Sequence, residues 1–465
     1  DVINGFMTET GARNVSCLVM DPNSGEILAM ANSNSYDLNK PYEDSVILDM
    51  FNEKNINYLL SDSTIKAYFT APEGETLSEE KQSLKALLES PDISAEDKLN
   101  SIPDDFRLLC LNRQWRNFIL SDGFEPGSTY KTFTISGAVE ESVLKGDETF
   151  YCEGVKQVED YPIHCHNHQG HGTVTIEQAL MQSCNVALMD IAEAEGRSVF
   201  SKYQQTFGFG KKTGIDLSGE ASGLVYEENG LNPVELATSS FGQGLTVTMI
   251  QNGAAFCSVI NGGKYYEPHM VKQIVDENGG VIKNIEPVVL RKTISEETSQ
   301  FMRETLFKVV DSGTGQKVKV EGYTIGGKTG TAEKLPRNNG KYLLSFIGFA
   351  PVDNPQVVVY VTVDEPDVED QSATGYGTIL AHSIFEKLLP YMNVNQTGDS
   401  SSQGDASIGD ETITPVFDGQ APQEQLSSQE GEDTQASTQA ASEVSTQTTE
   451  AVTEATTEPA TPATQ

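Results

Sequence analysis

The sequence predicts an α+β fold: an antiparallel sheet flanked by helices, with a helical block inserted between its strands. Three observations lead there. Two strand-like runs open the chain, a long middle carries helical periodicity, and three more strand-like runs and one helix close the folded part.

The opening runs are 15–20 and 26–31. The cluster Asp21-Pro-Asn-Ser-Gly25 between them is rich in turn formers, so they read as a hairpin. Residues 41–105 read as polar and irregular, with one helix at 78–88, and a helical stretch follows over 103–120. Pro126-Gly127 is a breaker pair, which puts Ser128 where the next helix begins. Residues 150–175, with Gly170 and Gly172, read as short strands or loops. Helices are predicted at 175–194 and 245–259, strands at 323–333, 343–350 and 356–363, and the last helix at 376–392. After Asn395 there is no Lys or Arg, and 13 Asp and Glu stand among Ser, Thr, Gln, Ala and Pro. Such a segment buries too little apolar surface to offset its ordering entropy, so 396–465 is expected to be a disordered acidic tail.

The chain has 465 residues and a formal net charge of −37, from 68 Asp and Glu against 31 Lys and Arg. A nucleic-acid binder needs a basic footprint, so nucleic acid is excluded as a partner, and anionic membrane surfaces are disfavoured. An anionic substrate has to be met by a local cation. No run of 18 apolar residues occurs, so no membrane span is expected within this sequence. The chain starts at Asp1 rather than Met, as a trimmed chain would.

Three short elements carry chemistry. Ser128 and Lys131 are three apart at an expected helix start, on one face of its first turn, where a hydroxyl nucleophile and an amine base can meet. The helix N-terminus favours developing negative charge on the oxygen. The same spacing also describes a plain helix cap. It recurs at Ser63-Thr-Ile-Lys66 and Ser78-Glu-Glu-Lys81, which lack the Pro-Gly pair and the apolar helix behind it. Ser183-Cys-Asn185 places a hydroxyl and an amide two apart; they share a side only in a turn between helices, and otherwise read as capping residues. Gly326-Gly-Lys328-Thr-Gly-Thr-Ala332 offers a close backbone approach, a cation and hydroxyl donors for a carboxylate. Lys212-Thr-Gly214 repeats part of that motif in what reads as a loop.

The order Ser128…Lys131, Ser183…Asn185, Lys328-Thr-Gly330 resembles the three signature motifs of penicillin-binding proteins and serine β-lactamases. The flanks Asn23-Ser-Gly-Glu-Ile-Leu-Ala-Met30, Glu125-Pro-Gly-Ser-Thr-Tyr-Lys131, Ser240-Phe-Gly-Gln-Gly244, Gly313-Thr-Gly315 and Ser345-Phe-Ile-Gly-Phe-Ala-Pro351 look like the transpeptidase domain of class B penicillin-binding proteins. The resemblance covers about 1–45 and 105–393. It implies a penicillin-binding/serine β-lactamase-like fold over 1–395, with 46–104 a variable insertion and about 128–235 a helical subdomain.

It also implies a peptidoglycan D,D-transpeptidase that cross-links stem peptides through a serine acyl-enzyme and is acylated by β-lactams, with no cofactor. By motif match, Ser128 is the nucleophile, Lys131 its base, Ser183 a proton relay, and Asn185 a holder of the donor peptide. Lys328, Thr329, Gly330 and Thr331 bind substrate, and the backbone N–H groups of Ser128 and Thr331 form the oxyanion hole. Implied partners are stem peptides, β-lactams, a glycosyltransferase and proteins of the division or elongation complex. The implied place is the extracytoplasmic face of a bacterial membrane, anchored by a segment upstream of Asp1.

Rivals on the same fold are a β-lactamase, a D,D-carboxypeptidase or a β-lactam sensor; an inactive wall-binding scaffold is another. Glu228-Asn-Gly-Leu-Asn232 has the Glu-x-x-x-Asn spacing of a deacylating base, but reads as a solvated loop. Four of the six histidines fall in His164-Cys-His-Asn-His-Gln-Gly-His171. Alternation at 164, 166 and 168 on one strand face invites a zinc reading, yet the spacing fits no standard ligand pattern, so no metal is assigned. The oxidising location implied by the resemblance favours a Cys152–Cys165 disulfide instead, since these cysteines flank an expected hairpin.

Overall fold

The strand Val357–Asp364 is buried at all eight positions and Asn14–Met20 at all seven. Such strands need cover on both faces, and their side chains alternate between two cores. Leu18, Met20, Ile347, Phe349, Val358 and Tyr360 point into one. Val15, Cys17, Val19, Phe346, Val359 and Val361 point into the other. The computed structural model describes residues 1–53 and 55–396. The tail expected to be disordered lies outside them, apart from its first residue.

The sheet has five antiparallel strands in the order Gly326–Glu333, Tyr342–Ala350, Val357–Asp364, Asn14–Met20, Ile27–Asn32. The predicted α+β class, the opening hairpin and all three late strands are therefore present, with ends shifted by at most three residues. Strands far apart in sequence pair at the centre: Asn14 pairs with Asp364 and Met20 with Val358. Gly326–Glu333, which carries the third motif, is an outer strand. The helix Met249–Ile260, buried at all twelve residues, backs one face. Helices Val2–Thr10 and Tyr376–Tyr391 cover the other, with Phe6 and Tyr376 rings edge to face at 5.6 Å. The first of these is not legible in the sequence: it holds Gly5, Thr8 and Thr10, weak helix formers, and is stabilised by docking Ile3 and Phe6.

Two predictions are corrected. Residues 41–105 are not irregular. They fold into short helices, among them Ile56–Ser61, Ser63–Tyr68, Glu79–Glu89 and Ala95–Ser101, which with Asp104–Gln114 enclose their own core of Ile47, Phe51, Ile65, Leu88, Phe106 and Cys110. Glu79–Glu89 is the helix expected at 78–88; Ile56–Ser61, Ser63–Tyr68 and Ala95–Ser101 hold six or seven residues, too few to show a period, so only the shared core reveals them. Tyr58 of this cluster lies 4.7 Å from both Arg13 and Lys341, tying it to the sheet domain. The helix expected over 175–194 is two, Ile176–Met181 and Asn185–Thr206, broken at Ser183. Among the described residues no helix is long and apolar enough to cross a membrane.

One buried group gives a stability prediction. Glu195, on the helix Asn185–Thr206, is 5% exposed, and neither carboxyl oxygen has a hydrogen-bond partner among the described residues. Burial, with the Glu141 carboxylate adding to it, pushes its pKa up to about 9. The folded protein therefore holds a proton that the unfolded chain releases at ordinary carboxyl pH. Stability from this group is complete below about pH 4.5 and is lost as pH rises through about 9. Glu195→Gln is expected to raise thermal stability at pH 8, by ~1–3 kcal/mol, and to change little at pH 4.5. Melting curves at the two pH values check this; an equal effect at both refutes it.

Candidate active site

Gly127–Thr129 forms one 3₁₀ turn that runs into the helix Lys131–Glu140, so Ser128 sits in the turn before the helix rather than in its first residue. Ser128 and Lys131 remain one turn apart on the same run of backbone. Gly127 has φ +53°, and a Cβ there would stand 2.6 Å from the Thr331 carbonyl oxygen. Only glycine lets this turn lie so close to the third-motif strand. The turn is fixed from behind. Thr129 Oγ1 donates to Pro126 O at 2.8 Å, and Asn252 Nδ2 donates to Thr129 Oγ1 at 3.2 Å and to Tyr360 Oη at 3.0 Å. Gly127 N–H donates to Gly242 O at 3.1 Å, which anchors the Phe241-Gly-Gln-Gly244 block beside Ser128.

Ser183 takes φ +55°, a left-handed conformation uncommon for a residue with a Cβ. The turn persists because its N–H bonds Leu180 O at 3.2 Å, while Cys184 N–H bonds Ala179 O at 2.9 Å. The conformation turns both oxygens of Ser183 towards Lys131. Lys131 Nζ donates to Ser183 O at 2.6 Å, Ser183 Oγ at 3.1 Å and Asn185 Oδ1 at 2.7 Å. Hydroxyl and amide thus share one side, as a turn between helices allows.

Lys328 reaches the same point from the outer strand. Its Nζ lies 3.1 Å from Ser183 Oγ, 3.1 Å from Thr329 Oγ1 and 3.2 Å from Thr329 O. The Ser183 hydroxyl therefore sits between two amines. Both lysines have no exposed surface. Burial lowers Lys131 to about 8, with neighbouring thiols opposing the shift. Burial also takes Lys328 well below the ordinary lysine value, and the nearby Lys131 charge adds to this. Two buried cations this close repel, so one amine is readily neutral; a carboxylate bound at Lys328 would restore the charge there.

The structure thus brings Lys131, Ser183, Asn185, Lys328 and Thr329 into one hydrogen-bonded cluster and sets the Ser128 turn against Thr331, with Gly330 between them in the strand. Thr331 is exposed at this edge, and a Cβ on Gly330 would meet Thr129 and Ser345. The decoys lie elsewhere. Ser63 begins a helix of the insertion, Ser78 caps Glu79–Glu89, and Thr213 of Lys212-Thr-Gly214 is bonded to Glu220. Glu228 is exposed, and Asn232 caps the helix Pro233–Ser240 by accepting from Val234 and Glu235 N–H.

Sequence reasoning gave no role to Thr314, whose hydroxyl lies 3.1 Å from Thr329 Oγ1. The flanking Gly313-Thr-Gly315 was the signal that could have found it. It also missed the Glu125–Arg337 pair at 2.6 Å, which closes the rim where Glu125 also accepts from Gly244 N–H at 2.9 Å.

The expected Cys152–Cys165 disulfide is not formed; all six cysteines are free and buried. These two sulfurs share their space with a third, that of Cys184, so the sequence-adjacent hairpin does not single out a pair. The three-histidine strand face also fails, because the strand Tyr161–His164 ends before His166 and His168.

A family model described as the penicillin-binding protein transpeptidase domain matches residues 15–389. Stage V sporulation protein D of Bacillus subtilis (strain 168) is 40% identical over 300 residues, covering 63% of this chain and 46% of that protein. A probable peptidoglycan D,D-transpeptidase, PenA of Neisseria flavescens, is 29% identical over 287 residues, covering 60% of this chain and 66% of that protein. The crystal structure of penicillin-binding protein 3 of Mycobacterium tuberculosis complexed with ampicillin superposes with a TM-score of 0.64 at 25% identity, covering 86% of this chain and 77% of that one. The chain spans about half the length of the first curated relatives it matches.

Proposed function

This chain belongs to the penicillin-binding protein transpeptidase family, and on that premise we propose that it is a serine-type peptidoglycan D,D-transpeptidase with Ser128 as nucleophile. The observation that carries the reading is the Ser183 hydroxyl held 3.1 Å from both Lys131 Nζ and Lys328 Nζ. Ser128 Oγ attacks the penultimate D-Ala carbonyl of a stem peptide while neutral Lys131 takes its proton. The N–H groups of Ser128 and Thr331 receive the oxyanion; the packing of the Gly127 turn against the Thr331 backbone supports this assignment. As the C–N bond breaks, the proton passes through Ser183 to the leaving D-Ala amine. The resulting ester of Ser128 is then attacked by an acceptor amine, which restores the hydroxyl. Asn185 holds the donor peptide, and Lys328 with Thr329 and Thr331 meets its terminal carboxylate.

β-Lactams acylate Ser128 in the same way and stay attached. The place of work is the extracytoplasmic membrane face, with an anchor upstream of Asp1, alongside a glycosyltransferase and division or elongation proteins. Fluorescent penicillin is expected to give an adduct that persists for many minutes. Release within seconds would make the protein a β-lactamase, a reading for which the exposed Glu228 offers no placed base.

Lys328→Ala removes the one cation assigned to the carboxylate. Acylation by carboxylate-bearing penicillins is expected to slow ~10- to 100-fold, the equivalent of a charge-assisted hydrogen bond of ~1.5–3 kcal/mol. Stopped-flow acylation rates check this; a rate within twofold of the parent would remove Lys328 from carboxylate binding.

A further inference from the structure

Cys184 lies inside the second motif, between the two residues that touch Lys131, yet the mechanism gives it no part. Its sulfur is not alone. Cys152 Sγ, Cys165 Sγ, Cys184 Sγ and a ring nitrogen of His171 all lie within 4.8 Å of one another. From this geometry we infer a tetrahedral zinc site, Cys152–Cys165–His171–Cys184, that fixes the Ser183-Cys184-Asn185 turn against the loop before it.

The donor set is three sulfurs and one imidazole, the soft closed set that suits structural Zn²⁺. Zinc bonds of about 2.3 Å to sulfur and about 2.0 Å to nitrogen place tetrahedral ligand atoms roughly 3.5–3.8 Å apart. Cys165 Sγ and His171 Nδ1 are 3.6 Å apart. Each of the three cysteines has 1% exposure or less. Two sulfurs already receive backbone N–H groups, Cys165 from Asn185 at 3.4 Å and Cys184 from Ala187 at 3.4 Å. Donors of this kind stabilise metal-bound thiolates.

The backbone converges on the cluster. Thr149–Cys152 pairs with Gly172–Thr175, and Val155–Val158 pairs with Tyr161–His164, so one hairpin nests inside the other. Cys152 ends one strand, Cys165 follows another, and His171 precedes a third. Gly170, at φ +81°, stands so close to the Cys152 carbonyl that a Cβ would collide with it. That contact folds the 165–171 loop over Cys152. Of the four clustered histidines only His171 belongs to the ligand set; His166 is exposed. The zinc reading weighed from the sequence rested on His164, His166 and His168; the set inferred from the geometry uses His171 instead, with Cys184 13 residues beyond it across a helix.

On binding, each thiol gives its proton to solvent as its Zn–S bond forms, and the ion remains Zn²⁺. All four ligands are protein groups, so the ion holds structure and leaves no open position for substrate. Its link to the active site runs through Cys184. The same segment is tied by Asn185 Nδ2 to His164 O at 3.2 Å. The ion therefore acts as a positioning element for Ser183 and Asn185.

Protein purified under reducing conditions is expected to carry about one zinc per chain by elemental analysis, falling to background in a Cys165→Ser/Cys184→Ser double variant. To keep the test independent of that variant's folding, the parent is also titrated with an organomercurial, with released zinc followed by a colour indicator: one zinc leaves as the three thiols react. Co²⁺ exchanged into the parent is expected to give the thiolate charge-transfer and ligand-field bands of a tetrahedral site. A metal-free parent that takes up no Co²⁺, zinc retained by the double variant, or a native disulfide among Cys152, Cys165 and Cys184 in peptide mapping would each overturn the site. Zinc removal by chelation is expected to lower the melting temperature and to slow penicillin acylation at least tenfold, both reversed by Zn²⁺. Unchanged melting and rate would overturn the positioning role. The metal count does not depend on the transpeptidase reading, so the two fail separately.

Discussion

Ser128→Ala is expected to abolish covalent labelling by fluorescent penicillin and to reduce D-Ala release from a stem-peptide substrate on the order of 10⁶-fold. No other group of the cluster can replace it: Lys131 and Lys328 are buried amines engaged by Ser183, and Ser183 itself faces them. The substitution removes one oxygen from a half-buried turn, so the melting temperature should hold, with a stability change within ~0.5 kcal/mol. Intact-mass measurement after penicillin treatment reads the result directly. An adduct on the alanine variant would place the nucleophile elsewhere.

Lys131→Ala is expected to slow acylation by about 10²–10⁴-fold, the range for loss of a positioned general base. Its amine makes three hydrogen bonds in a fully buried position, so the variant also loses stability, by ~2–4 kcal/mol. Rate and stability are separated by the pH profile. On the proposed mechanism the base in the parent is the neutral amine, so acylation should rise with pH towards about 8 and level off above it. A folded variant should lose that rise. A parent profile flat from pH 6 to 9 would show that Lys131 does not deliver the base.

The family is legible in the amino-acid sequence because three short motifs, each local, stand in a fixed order along the chain. The sheet is legible for a related reason. Val357–Asp364 and Tyr342–Ala350 are predominantly apolar runs rich in β-branched and aromatic residues, and runs of that length bounded by turn residues have few alternatives. The insertion is legible only at Glu79–Glu89. Its core joins Ile47 to Cys110, and the helices Ile56–Ser61, Ser63–Tyr68 and Ala95–Ser101 that build it have too few turns to display a buried side alone. The break at Ser183 is hidden too, because 175–194 keeps its helical apolar spacing straight through it.

By itself, the sequence determined the fold class, the family, the segments expected to meet at the site, and the identity of the candidate nucleophile and base. Those follow from residue type and near-neighbour spacing. The tertiary structure alone decided how the segments meet. It set Ser183 in a left-handed turn so that one hydroxyl joins Lys131 to Lys328, and it showed that both amines are buried and so held below their ordinary pKa. It also replaced the expected disulfide with three thiols and an imidazole gathered from residues 152 to 184. Contacts between groups so far apart in the chain depend on packing and on backbone conformations at single residues, which local spacing does not specify.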